Sequence, residues 1–259
     1  ERVTFHRLVA AEWFKFRTVR SNLIALASAV AATTGLGVLF SWLIGRDAEE
    51  LAELAADGRG LTQVALSGFD LTSMIIAILG VSLVAVEYQT GLIRNWFAAA
   101  PDRRRVLLAK VTVFAAVVFA AVVAAGTAAL YLSQLVIPDS LPNVGLLDDG
   151  VLRMIAGTAA YAAAIATMGI GLGFVLRSTA SGAGVVLSLL LVAPIMSNFI
   201  PGTAGEWFTK LLPSNAASSM NDTGFEPGLL SAGWGAAVLA GWAILAVGAA
   251  AISVSRRDA

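Results

Sequence analysis

Charged residues along this chain mark off six long apolar stretches. They span 25 uncharged residues at 21–45, 16 at 71–86, 28 at 111–138, 23 at 154–176, 28 at 178–205 and 29 at 227–255. A membrane helix needs about 20 apolar residues. Five stretches meet that length unaided; the second meets it by starting near Gly68, with Asp70 at its edge. The pattern predicts an all-α membrane protein. It forms a single transmembrane domain over 1–259, with spans at 21–45, 68–86, 105–137, 151–176, 180–200 and 229–254.

Residues 1–20 have a different rhythm. Phe5, Leu8, Val9, Trp13 and Phe16 recur at helical spacing as one apolar face, with Arg7, Lys15, Arg17 and Arg20 interspersed. That is the pattern of a basic amphipathic helix lying in the headgroup region. The plainer alternative is a cytoplasmic extension of the first span whose cations snorkel. The polar lead and the long first apolar run do not fit a cleaved signal peptide. The chain starts at Glu1, and a few residues are expected ahead of it.

The polar segments differ in kind. Glu87–Lys110 gathers Arg94, Arg103, Arg104, Arg105 and Lys110 against Glu87 and Asp102. A short surface helix is expected over Glu87–Ala100, with Gly91 its one helix breaker, a stop at Pro101 and a cap at Asp102 for the next span. A helix so polar at that surface is expected to touch something in the cytoplasm. Asp47–Ala56 predicts a short acidic helix, and Asp139–Gly150 a turn-rich loop. Residues 194–228 are apolar but cut by Pro194, Pro201, Pro213 and Pro227, so outer re-entrant helices packed on the bundle are expected there. The glycines of GIGLG at 169–173 follow an apolar helical run rather than a strand. They point to close helix packing, not to a phosphate loop.

Composition and charge then set class and orientation. The chain is 58% hydrophobic and 13% charged, with mean hydropathy +0.82. A soluble domain carries about 25% charged residues. The net charge of zero hides a segregation: 13 of the 17 Lys and Arg fall in 1–20, 87–110, 177 and 256–259. The alternate segments hold Arg46, Arg59, Arg153 and Lys210 and most carboxylates. By the positive-inside rule both termini, the Glu87–Lys110 loop and Arg177 are cytoplasmic, in a multi-pass protein of the cell membrane.

Several chemistries lack their residues. There is no Cys, and His6 is the one histidine. Asp70, Glu87, Lys110, Arg153 and Arg177 are all expected near interfaces, so an ion-coupled carrier or intramembrane enzyme is disfavoured. No P-loop is present, because Lys15, Lys110 and Lys210 follow Phe, Ala and Thr. No catalytic residue, metal site, bound cofactor or nucleic-acid partner is assigned, and any ATPase must be another polypeptide.

The run EYQTGLIR at 87–94 followed by APDRRRVLLAK at 100–110 resembles the cytoplasmic loop of ABC-2 type transporter permeases, with Glu87, Gly91, Pro101, Arg103 and Lys110 in the family's places. The segment LVAAEWFKFRTVRSN at 8–22 is similar to the start of such permeases, and the six spans match their topology. The apolar WFAAA at 96–100 departs from the pattern.

The resemblance implies a half-transporter that pairs with a second permease copy, identical or paralogous, and docks a separate ATPase subunit holding ATP and magnesium. The coupling helix would be 87–97, with Glu87, Tyr88, Gln89, Thr90, Gly91, Leu92, Ile93 and Arg94 as contacts. Arg177 and Ser178 would make a second contact and the amino-terminal helix a third. The plainer reading of Glu87 and Arg94 is a solvated ion pair worth little. That of Arg103–Arg105 is topology alone, and it is preferred.

The function implied is ATP-driven export of a lipophilic or amphipathic cargo, such as a drug, a peptide or a lipid-like molecule. Its pathway would lie against spans two and five. Phe69, Met74, Ile78, Met196 and Phe199 would be its apolar lining, and Ser73, Ser188, Ser197 and Asn198 its polar handles. For any one of these, plain packing is the blander alternative. The rival reading is a scaffold or immunity protein that binds a cytoplasmic partner and transports nothing.

Overall fold

The computed structural model describes residues 4–46, 54, 59–99, 102–137, 143–221 and 229–256. Among these every regular element is a helix and none is a strand. Six helices are long and apolar enough to cross a membrane. They are α2 (Arg20–Ile44), α4 (Phe69–Gln89), α6 (Arg103–Gln134), α7 (Val151–Leu176), α8 (Thr179–Ser197) and α11 (Ala232–Arg256). Five shorter helices accompany them: α1 (Phe5–Thr18), α3 (Arg59–Ala65), α5 (Leu92–Ala99), α9 (Gly202–Leu211) and α10 (Pro213–Asn221). The chain has the architecture of a multi-pass α-helical membrane protein.

Local sequence sets the ends of the helices. Val19 takes an extended conformation (φ −82°, ψ 107°) and separates α1 from α2. Asp102 caps α6: its carboxylate accepts the Arg105 backbone N–H at 3.4 Å and pairs with Arg105 Nε at 2.9 Å. Ser178 caps α8 by accepting the Ser181 N–H. Within α8, Ser188–Val192 widens to a π-turn just before Pro194. Proline has no N–H to give to the preceding turn, and the wider turn accommodates that loss.

The six long helices overlap the six apolar stretches of the sequence, and two expectations change. The surface helix read as Glu87–Ala100 is split. Glu87, Tyr88 and Gln89 finish α4, the chain turns at Thr90–Gly91, and α5 begins at Leu92. Gly91 has φ +73°, a left-handed conformation that glycine adopts without penalty, and this lets the chain leave the axis of α4. The helix α3 was not anticipated. The acidic helix expected at Asp47–Ala56 lies, apart from Leu54, outside the described residues, as do Ala100, Pro101, 138–142 and 222–228.

The bundle is built around α7. Two-thirds of its most apolar stretch (67%) is buried, against 17% for α2, 11% for α8 and 17% for α11. The glycines at 169–173 are why α7 can sit there. A Cβ on Gly169 would meet the Ala77 carbonyl at 2.6 Å, and one on Gly173 would meet Val84 Cβ at 2.8 Å, both on α4. On the other side of the helix, a Cβ on Gly171 would meet the Ala246 carbonyl of α11 at 2.7 Å. The packing role expected of this motif is therefore what the structure contains.

Contacts gather at two ends. At one, α1 touches α6, Arg103 Nη1 donates to the Val254 carbonyl at 3.2 Å, and Arg177 stacks over Tyr88. At the other, Gln134 binds the Val144 backbone and Arg153 Nε donates to the Met220 carbonyl at 2.9 Å. The first and last helices therefore end at the same end of the bundle, as an even number of crossings requires.

Gly169→Leu should lower the thermal midpoint in detergent, the overpacking costing about 1–3 kcal/mol or more. Gly184→Ala should leave it unchanged, because nothing lies within 4 Å of a Cβ there. Equal melting of the two variants would refute the close α4–α7 approach.

Candidate functional site: a buried ionic junction at the α1–α4–α6 end

Four ionisable side chains meet where α1 lies across the ends of α4 and α6. Glu12 stands one helical turn from both Leu8 and Phe16, so the three share a face that is buried. Glu87 is in the last turn of α4 and Lys110 is two turns into α6. Lys110 Nζ donates to both oxygens of Glu12 at 2.9 Å and to Glu87 Oε1 at 2.8 Å. Lys15 pairs with Glu87 from above and lies 5.7 Å from the centre of the Trp96 ring on α5. Glu12, Glu87 and Lys110 are 6%, 2% and 3% exposed, so water does little to stabilise their charges and their partners must.

The cleft beside the junction, lined by Phe16, Asn22, Leu83 and Phe114 among others, has a volume of about 10 Å³, room for roughly one water. A small apolar seam flanks it: Leu8 against Val106 and Ala109, edged by Val9, Trp96 and Phe97.

Lys15 sits at the rim, outside the spans. Burial, then the positive charge of Lys110, pushes its pKa down from 10.5 to about 8, with Glu12 opposing. Between those values the unfolded chain holds a proton that the folded chain has released. Stability from this group is therefore greatest above about 10.5 and is lost as pH falls through about 8.

Glu87, read as a partner contact with a solvated pair as the plainer alternative, is buried in the chain's own ionic junction. Among the other residues read as partner contacts, Ile93 also turns inward at 1% exposure. Gln89, Thr90, Leu92 and Arg94 face outward, while Tyr88 and Gly91 are half-buried. The predicted second contact is brought to the first. Arg177 lies 4.6 Å from the centre of the Tyr88 ring, and Tyr88 packs edge-on against Phe174 at 6.1 Å. Arg177 is the one non-glycine residue with positive φ (53°) among the described residues, and Ser178 beside it is half-buried. Arg103 does more than set topology: besides its bond to Val254 it lies 5.2 Å from the centre of the Phe97 ring, tying α5 to α6 and α11.

The proposed lining residues do not form one surface within the chain. Phe69 is buried against Tyr161, and Ser73 is buried with its hydroxyl donated to the Asp70 carbonyl. Met74 and Ile78 are half-buried. Ser197 is buried, whereas Ser188, Met196, Asn198 and Phe199 are exposed on or just beyond α8. An open cleft of about 400 Å³, lined by Arg153, Ala156, Gly157, Met220, Ala232 and Gly233, involves none of them.

Glu12 is the member of the junction to which the sequence assigns no role of its own. Its signal was present: a carboxylate in the middle of the apolar face of the first helix. The amino-terminal face itself divides, with Leu8 and Phe16 buried on protein while Phe5 and Trp13 are exposed. No protein-family model matches this chain, and no curated protein is significantly similar to it.

Lys110→Met leaves two buried carboxylates with Lys15 alone and should cost about 3–5 kcal/mol. Adding Glu12→Gln should recover part of that loss, measured as thermal midpoints in one detergent. Independent, additive losses would mean that the two residues do not share a junction. Raising pH from about 7.5 to about 9.5 should stabilise the wild type relative to Lys15→Met; a flat difference would contradict the burial of Lys15.

Proposed function

We propose that this chain is the membrane subunit of an ATP-binding cassette exporter of the ABC-2 permease type. Its energy would come from ATP and magnesium held by a separate ATPase subunit. The observation that carries the reading is α5. The chain breaks from α4 at Gly91, forms one short helix, and is tied to the bundle by Lys15 over Trp96 and by Arg103 over Phe97. A helix anchored this way can pass a push to α1, α4 and α6, while Gln89, Thr90 and Leu92 face outward, where a partner can reach them. The charge pattern supports a cytoplasmic setting for that end and for both termini.

In this reading α5 is the coupling helix. Arg177 and Ser178 form a second contact, linked to the first through Tyr88. Closing of the ATPase subunits on ATP would move α5, and the bundle would pass between inward- and outward-facing states. A second permease copy, identical or paralogous, completes the pathway. The sparsely buried α2, α8 and α11 offer apolar faces to it and to lipid. Met196 and Phe199, with Asn198 as the polar handle, suit a lipophilic or amphipathic cargo. Outside, α9 and α10 take the part of re-entrant helices. Trp242 Nε1 donates to the Leu211 carbonyl at 2.9 Å and holds that segment to α11. On the inner side α1 lies at the headgroups, with Phe5, Trp13 and Phe14 exposed to them.

Mild-detergent purification from native membranes, followed by mass spectrometry, should recover a stoichiometric soluble protein bearing a P-loop. Leu92→Asp combined with Arg94→Glu should reduce its recovery roughly tenfold while the chain itself stays folded. A chain that purifies alone under conditions preserving other membrane complexes would move the reading to a scaffold that transports nothing.

A further inference from the structure

We propose that α1 is a hinged element that docks on and lifts off the α4–α6 surface, the junction's charge being balanced in both positions. Each side of the boundary brings one carboxylate and one ammonium: Glu12 and Lys15 from α1, Glu87 and Lys110 from the spans. When α1 is docked the pairs cross the boundary, Lys110 holding Glu12 and Lys15 holding Glu87. Each side also contains a pair of its own. Glu87 and Lys110 are already 2.8 Å apart. Glu12 and Lys15 stand three residues apart on one helix, a spacing that lets them pair with each other. Lifting α1 therefore leaves no charge uncompensated, and an orphaned charge is what makes a buried ion pair expensive to break.

The attachment of α1 fits a moving part. A single extended residue, Val19, joins it to α2. Its apolar attachment is small: Leu8 against Val106 and Ala109, edged by Val9, Trp96 and Phe97, and Phe16, whose ring centre lies 5.9 Å from that of Phe114 on α6. Exposed Phe5, Trp13 and Phe14 give it a second apolar surface to rest on at a bilayer. Lys15 over Trp96 links its position to that of α5. The motion belongs to the chain alone and requires no ATPase subunit.

The chain contains no cysteine, so Phe14→Cys with Leu108→Cys gives two unique spin-label sites, at positions 58% and 45% exposed. Double electron–electron resonance on the full chain in lipid nanodiscs should show a short and a long distance. Glu12→Gln leaves Lys15 and Lys110 facing Glu87 alone in the docked position, and should raise the long-to-short ratio roughly tenfold. Glu12→Gln with Lys15→Met leaves the balanced Glu87–Lys110 pair, and should bring the ratio back to within about threefold of wild type. One unchanged distance in the parent and both variants would overturn the hinge. A double variant at least as displaced as Glu12→Gln would overturn the charge balance.

Discussion

A charge taken out of water must find its opposite, and at the α1–α4–α6 end of this protein four do so at once. Glu12, Lys15, Glu87 and Lys110 come from three helices. Their pairing sets how those helices meet far more narrowly than apolar contact would. Lipid offers no hydrophobic drive between helices, so direction must come from packing shape and from polar contacts. Here the polar contact lies at the rim of the bundle, next to the segment that bends away at Gly91. The same few ångströms serve as a structural joint and as the root of α5.

Beyond the joint, shape takes over. The middle of α7 presents glycine to α4 and to α11 on opposite sides, and backbones approach to contact. Small residues give up their own side-chain burial in exchange for many dispersion contacts between main chains. The result is a more deeply buried central trio of α4, α6 and α7, with α2, α8 and α11 laid outside it. A buried centre and a sparsely buried periphery suit a bundle whose flanks meet lipid.

Much of this was legible in the order of residues. Six uncharged runs gave the spans, since charge is excluded from hydrocarbon more strictly than any propensity acts. Asp102 gave the cap of α6, and the 169–173 glycines gave the close crossing. Glu87 was harder. Sequence places it among polar neighbours in a basic loop, where a solvated role is the ordinary expectation. Its burial depends on Lys110, 23 residues on, and on Glu12, 75 residues back, and no local pattern states such a distance. Glu12 was readable in principle from its place between Leu8 and Phe16, but one carboxylate on an apolar stripe also fits a helix lying in headgroups. The split at Thr90–Gly91 turned on a single glycine, which a helix tolerates as readily as it ends on one. The scattering of the proposed lining residues between core and surface could not be foreseen, because helix rotation depends on neighbours.

The central place of α7 has a consequence for how the chain comes together. All four members of the ionic joint lie within the first 110 residues, so it can close as soon as the third span has left the ribosome. The groove that α4 offers at Ala77 and Gly80 has no protein to fill it until residues 169–173 have been made. Biogenesis therefore divides into two acts. An early charge-registered three-helix unit waits in the bilayer with one face bare, and the fourth span then inserts as the wedge that completes it.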